Sequence, residues 1–534
     1  MKYVFYVSFF ICLISLNVHA AIDINSYSSF VSTIEGKNND AKVNAISWLS
    51  KTDNTQRQKI IFSAWIKGQL YINKKDNRLY KIERVNEKTH SFSIGNGKNT
   101  IILNKKGFKK IRVNNKLRNE LKMRLAILNL KDKTPSIREK AIKVLMDKVD
   151  FHLYTLMKKH NEVEKNANVK QQYKLAFANY QARNSLGEDQ LNAVVLLGKE
   201  KHPIVYQTLM EVVTDSKNPQ VVAAAKYGLD TYKQQQRIYA GVETVFFGLS
   251  LGSVLALAGI GLAITFGVMG VINMAHGELI MLGAYTTYVL QQLMPNHLAI
   301  ALILSIPAAF IVSGCIGIMI EQGVIRHLYG RPLETLLATF GISLILQQAV
   351  RTVFSPLNRS VITPEFMSGA LTLNPMLMLT YNRLYIIFFC FAVFLLLLTI
   401  LKKTPLGLQV RAVSQNRPMA RAMGIHSQRV DALTFGLGSG IAGIAGVALS
   451  QLTNVGPNMG QSYIIDSFMV VVFGGVGNLW GTLVAGLSLG IFNKFLEPWF
   501  GAVLAKIIVL IFIILFIQKK PKGLFPQRGR AADS

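Results

Sequence analysis

The sequence predicts an all-α polytopic membrane bundle of about nine passes, preceded by a mainly helical soluble domain, open to HEAT-like pairing and carrying a small β insertion. Three observations lead there. Half of the 534 residues are hydrophobic, yet the formal net charge is +30. Those facts are compatible only in a divided chain, and the division is visible. Up to Arg237 the chain is polar and Lys-rich and holds roughly +20 of the charge. Beyond Gly241 it consists of long apolar runs broken by Gly, Pro and short basic loops. Third, apolar residues of the first part recur at helical spacing.

The chain opens with a segment of secretory type. Lys2 gives the positive start, 4–16 is an apolar run too short to span comfortably, and Val18-His19-Ala20 is a small-residue cleavage site. Residues 1–20 are therefore expected to be a signal peptide, and 21–236 an extracytoplasmic domain. There Ile137, Ala141, Val144, Leu145 and Val149 are expected on one helix face, and Val221, Val222, Ala225, Leu229 and Tyr232 on another. Pro135 and Pro219 suit the first turns of these helices. The two starts stand about two periods of the 40–47 residues of HEAT-type pairs apart. Residues 91–94 and 100–103 flank a Gly-rich turn at 95–98, which predicts a β-hairpin. The same glycines make no phosphate loop: Phe92 stands where the first Gly is needed, and Asn99 where Ser or Thr is needed. The basic exterior carries no nucleic-acid motif. Cys12, Cys315 and Cys390 form no disulfide framework and no metal set with His.

The membrane domain is placed at 237–518, with apolar segments at 245–268, 279–293, 298–320, 336–354, 384–401, 432–452, 467–476, 482–495 and 503–517. The shorter ones near Gly474-Gly475 and Gly481 read as half-helices, tolerated only where protein or a cavity satisfies the backbone. Basic residues mark the cytoplasmic side: Arg326 and Arg331; Lys402 and Lys403 through Arg429; and the tail 519–534 with Lys519, Lys520, Lys522, Arg528 and Arg530. An odd number of passes then starts the first helix outside, in agreement with the signal peptide. Gly248 and Gly252, Gly436 and Gly440, and Gly486 and Gly490 are spaced for close helix contact.

Residues 270–278, Gly-Val-Ile-Asn-Met-Ala-His-Gly-Glu, followed by Leu282-Gly283-Ala284-Tyr285, resemble the branched-chain amino-acid family of ABC permeases. The run from Gly407 to Ile425 is similar to that family's cytoplasmic coupling loop. Residues 474–481, Gly-Gly-Val-Gly-Asn-Leu-Trp-Gly, are similar to its late glycine motif. The resemblance covers about half of the chain, residues 242–527. Within the family the chain resembles the urea permease branch, through 330–336 (Gly-Arg-Pro-Leu-Glu-Thr-Leu), Met367-Ser368-Gly369 and 521–526 (Pro-Lys-Gly-Leu-Phe-Pro). An exported N-terminal extension also resembles long-form urea permeases. Phe366 departs from the Trp expected before Met-Ser-Gly.

Candidate substrate-path residues are Asn273, His276, Glu278, Gln347 and Asn478. Asn273 and His276 share a helix face, with Glu278 off it. Urea has one carbonyl acceptor and N–H donors all round, and Asn, His and Glu together offer both complements; a network bracing a bent helix is the alternative. Gln347 and Arg351 form a polar stripe, with Arg351 expected to snorkel at the outer interface. Asp466 is expected to cap a half-helix. The coupling-loop candidates are Arg411, Ala412, Arg417, Ala420, Arg421 and Gly424. A short helix is expected from Arg417, with Pro418 in its first turn and Gly424 as its C-cap.

The resemblance implies a permease subunit of an importer for urea. Its partners would be ATP-binding subunits, a second permease subunit and an extracytoplasmic substrate-binding protein. It implies the bacterial inner membrane, no cofactor and no catalysis by this chain. A permease for branched-chain amino acids or short amides stays open, as does a membrane sensor with the soluble domain as receptor.

Overall fold

The structure is a computed structural model that describes residues 26–36, 38–52, 54–85, 88–94, 99–102 and 107–525. The expected signal peptide, Cys12, the turn at 95–98 and the Arg528–Arg530 end of the tail lie outside the described residues. The chain falls into two compact units, Met1–Lys233 and Gln234–Ser534.

The first unit starts with three helices, α1 (Tyr27–Glu35), α2 (Asn39–Ser50) and α3 (Thr55–Ile66). Ser26, Asn38 and Asn54 cap them, each accepting from a backbone N–H of the first turn. A sheet follows: β1 (Leu70–Asn73), β2 (Leu79–Val85), β3 (Lys88–Ser93), β4 (Asn99–Ile102) and β5 (Phe108–Lys110). It is antiparallel throughout, in the order β4-β3-β2-β1-β5. The expected hairpin is its β3–β4 edge, so the β insertion is larger than the sequence reading allowed. The missed alternation is in β1, where Leu70 and Ile72 are buried between the half-buried Tyr71 and Asn73. Phe62, Trp65, Leu70, Ile72, Leu79 and Leu117 join one core.

Six helices complete the unit: α4 (Asn115–Asn129), α5 (Pro135–Leu145), α6 (Phe151–Val163), α7 (Ala167–Asn184), α8 (Glu188–Leu197) and α9 (Pro203–Asp215). Pro135 does open its helix, but the expected face needs correction. Ile137 and Val144 are exposed, and the buried residues are Ala141, Ile142 and Leu145. The core lies one residue around the helix, because α7 supplies Val169 and Tyr173 on that side. Glu164 sits between α6 and α7. It takes a two-pronged contact from Arg138 (2.7 and 2.8 Å) and accepts from Lys165 N and Asn166 N, both at 2.9 Å. The Arg138 guanidinium, helped by those amides, holds its carboxyl below the usual carboxylate range.

The next helix, α10 (Pro219–Met269), contains the boundary between the units and begins at Pro219 as expected. Val221, Ala225, Leu229 and Tyr232 are buried on its first part. The second unit continues with α11 (His276–Leu293), α12 (Leu298–Gly323), α13 (Pro332–Phe354), a hairpin of β6 (Ala370–Asn374) and β7 (Leu377–Thr380), and α14 (Tyr381–Lys403). It ends with α15 (Pro405–Gln415), α16 (Arg417–Ala422), α17 (Ser427–Ser450), α18 (Met459–Gly474) and α19 (Leu479–Lys519). Among the described residues, six helices are long and apolar enough to cross a membrane: α10, α12, α13, α14, α17 and α19. The shorter α18 is apolar as well. Inside α19, Gly501 has non-helical backbone (φ 78°), so the segments expected at 482–495 and 503–517 meet at a break.

Helix α17 is buried almost all round, which marks it as the centre of the bundle. Its approach to α11 needs glycine on both sides: a Cβ on Gly283 would overlap the backbone of Gly443, and a Cβ on Gly446 would overlap the backbone of Ile280. The expected Gly248–Gly252 and Gly486–Gly490 pairs pack against each other where α10 crosses α19. With no water to drive apolar faces together in lipid, such backbone contact supplies the packing.

Candidate functional site

The site forms where α10 ends. Gly270, at φ 67°, follows the last residue of α10, and six residues later α11 begins at His276. Asn273 Oδ1 accepts from Ala275 N at 3.0 Å, tying down the start of α11. Met274 N donates to Thr339 Oγ1 at 3.1 Å. His276 Nε2 lies 2.9 Å from the carbonyl oxygen of Ala258. A carbonyl only accepts, so the ring donates through Nε2 and offers Nδ1 as an acceptor. Ser343 Oγ donates to Glu278 Oε1 at 3.2 Å.

Asn273, His276 and Glu278 are 0%, 0% and 1% exposed. Asn273 Nδ2, His276 Nδ1 and Glu278 Oε2 are buried with no hydrogen-bond partner among the described residues. Each such atom costs about 1–3 kcal/mol. One orphaned donor and two orphaned acceptors thus stand at one helix start, while His276 and Asn273 each spend one polar atom on the backbone.

The neighbouring helices extend this polarity. Gly277 presses on the backbone of Gly460, bringing α18 against α11, and a Cβ added to Gly460 would stand 2.7 Å from Glu278 Oε2. On α13, Thr335, Thr339, Ser343, Gln347 and Arg351 follow at four-residue spacing. Thr335, Thr339 and Gln347 are buried, while Leu333, Leu337 and Ile345 on the other side are exposed. The sequence reading found only the last two polar members; extending the spacing backwards reveals the others. Arg351 Nη2 donates to Asn458 Oδ1 at 2.6 Å. Asp466 does not cap, since α18 starts at Met459; it pairs with Lys506 at 2.7 Å.

Asn478 is not brought to this cluster. Its Oδ1 accepts from Trp480 N and Gly481 N, capping α19, and its Nδ2 donates to Phe525 O at 3.3 Å. It lies instead beside Arg411, Lys402 and Trp480 around a cavity of about 870 Å³.

The loop of α15 and α16 has the expected local form. Asn416 caps α16, whose first turn holds Pro418. Gly424 takes φ 85°, and Ile425 N closes back onto Ala420 O at 3.0 Å. Its arginine side chains are engaged within the chain. Arg417 makes a two-pronged contact with Asp431 (2.7 and 2.9 Å), lies over the Tyr329 ring and donates to Tyr329 Oη. Arg421 Nε donates to Ser427 Oγ at 2.7 Å, and Arg411 Nη1 to Leu401 O at 2.5 Å. Ala420 is buried and Ala412 half-buried. The loop exposes Leu408, Met419 and Met423, which the basic-residue reading passed over.

The family described as branched-chain amino acid transport system / permease component matches residues 244–517. The chain belongs to this family. Among curated relatives of this permease family, the high-affinity branched-chain amino acid transport system permease protein BraD of Pseudomonas aeruginosa is 29% identical over 296 residues, covering 54% of this chain and 96% of that protein. The corresponding protein LivH of Escherichia coli K12 is 28% identical over 293 residues, 53% of this chain and 94% of its own length. The probable permease protein LivH of Methanocaldococcus jannaschii is 27% identical over 283 residues, 51% and 88%. No solved structure matches. The buried cluster and the α15–α16 loop both lie inside the family match, as do α12, α13, α14 and α17, all but the last two residues of α19, and the apolar part of α10.

Proposed function

We propose that this ABC-type permease imports urea, and that the path runs past the start of α11 between α13 and α18. The observation that carries the reading is the set of buried, unpartnered atoms Asn273 Nδ2, His276 Nδ1 and Glu278 Oε2. Urea offers one carbonyl oxygen to the amide donor and N–H groups to the two acceptors. In a dry passage each hydrogen bond left unmade is costly. The motifs at 330–336, 367–369 and 521–526 also support the urea branch.

The relatives' names favour a second reading, import of branched-chain amino acids. Isotope uptake by cells with and without this gene, offered urea or leucine, separates them. Gene-dependent urea uptake is expected; leucine uptake without urea uptake would hand the assignment to the second reading.

On this reading nine passes place the first unit outside the cytoplasm, and the α15–α16 loop inside. That loop would transmit work from separate ATP-binding subunits. A second permease subunit and an extracytoplasmic binding protein would complete the importer.

A further inference from the structure

The cavity beside Asn478 has a composition that the transport path does not explain. Its rim carries two cations, Lys402 at the end of α14 and Arg411 on α15, with Ser414 and Gln415 as neutral hydrogen-bonding groups. No carboxylate lines it among the described residues, and neither Lys402 nor Arg411 has an ion-pair partner there. Arg411 is steadied by its bond to Leu401 O, which uses one of its five donors. The inner wall is apolar and includes Ile264 and Leu398. Trp480 stands at the edge, 52% exposed, with its indole held edge-on by Phe394 at 5.1 Å. At about 870 Å³ the space falls within the range of small-ligand sites.

Paired cations with no acid select an anion, and an apolar wall behind them selects an acyl chain. A Trp at that boundary belongs to the membrane interface. We infer that this cavity binds the phosphate headgroup of an anionic phospholipid of the inner leaflet, with a chain lying along Ile264 and Leu398. Basic pockets between membrane helices on the cytoplasmic side recognise such headgroups by this chemistry. The site touches the coupling loop through α15, so an occupied cavity would stiffen the base of that loop.

The inference rests on the orientation proposed above, which puts Lys402 and Arg411 at the inner face. Its test does not depend on transport. The full chain is purified from a membrane containing phosphatidylglycerol, and retained lipid is counted by native mass spectrometry. The unaltered chain is expected to keep one phosphatidylglycerol. Lys402→Gln with Arg411→Gln is expected to bind it about thirtyfold more weakly. Ser414→Trp, which fills the cavity and leaves both charges, is expected to lose it as well. Lys519→Gln with Lys520→Gln, outside the cavity, is expected to retain it. Equal retention by all four proteins overturns the proposal, as does lipid that is lost when ATP-binding subunits are added. Displacement of the lipid by millimolar inorganic phosphate, with the same gain in melting temperature, keeps the phosphate site and overturns lipid as its source. An inverted topology would appear in reporter fusions and not in lipid retention, so the two failures are distinct.

Discussion

At the scale of single residues, the start of α11 places the brace and the proposed path on the same side chains. His276 donates to Ala258 O and so braces α11 to α10, while its other nitrogen is unspent. Replacing His276 by Gln keeps a donor and an acceptor, and appreciable urea uptake is expected; His276→Leu is expected to reduce it strongly. Glu278→Gln should likewise outperform Glu278→Leu. Uptake in membranes with equal amounts of each variant measures this, and parental rates in both Leu variants would reduce the cluster to a brace. Glu164 provides a residue-scale test of the first unit. Its carboxyl is held below the usual range by Arg138. The ion pair therefore contributes fully above an unfolded carboxylate value of about 4.3, and its contribution is lost as pH falls through the lower folded value. Glu164→Gln is expected to cost about 3 kcal/mol at neutral pH, since Arg138 is left part-buried and unpaired, and less as pH falls below about 4. Hydrogen exchange of α7 in the full chain reads both; an effect independent of pH would refute the assignment.

At the scale of elements, the α15–α16 loop shows how a short basic segment is held rigid. Two of its arginines fix the fold: Arg417 through Asp431 and Tyr329, and Arg421 through Ser427. Gly424 supplies a left-handed residue that lets Ile425 return to Ala420 O. Gly424→Val would hold a β-branched residue in that conformation at a cost of at least about 1–2 kcal/mol, enough to unseat a six-residue helix. Normal membrane insertion with lost uptake and weaker retention of ATP-binding subunits is expected; full uptake would remove the loop from coupling. Met419 and Met423 are exposed, whereas Ala420 is buried.

At the scale of the whole molecule, the testable quantity is topology. Periplasmic and cytoplasmic reporters fused at residue 150 and beyond Arg530 should report export and retention, respectively. A cytoplasmic signal at residue 150 would overturn the orientation, and with it the inner-face position of Lys402 and Arg411. The family match begins at residue 244, so the contribution of the earlier residues to transport has to be measured by deletion and uptake.

The sequence by itself determined the division of the chain, the apolar segments and the local turns. Burial in lipid demands long apolar runs, and left-handed turns such as Gly270 and Gly424 demand glycine, so both signals are local. The family, too, was legible in 270–278, because its polar and glycine residues are crowded into one short stretch. What only the tertiary structure decided involves partners distant in sequence. Ser343 meets Glu278 across 65 residues, and Arg417 meets Tyr329 across 88. The face of α5 turned by one residue because α7 supplied its core, and the amide of Asn478 is spent at both ends on Phe525 and the start of α19. A side chain's chemistry is written in its type, but whether its hydrogen bonds are spent or open depends on what the folded chain puts beside it.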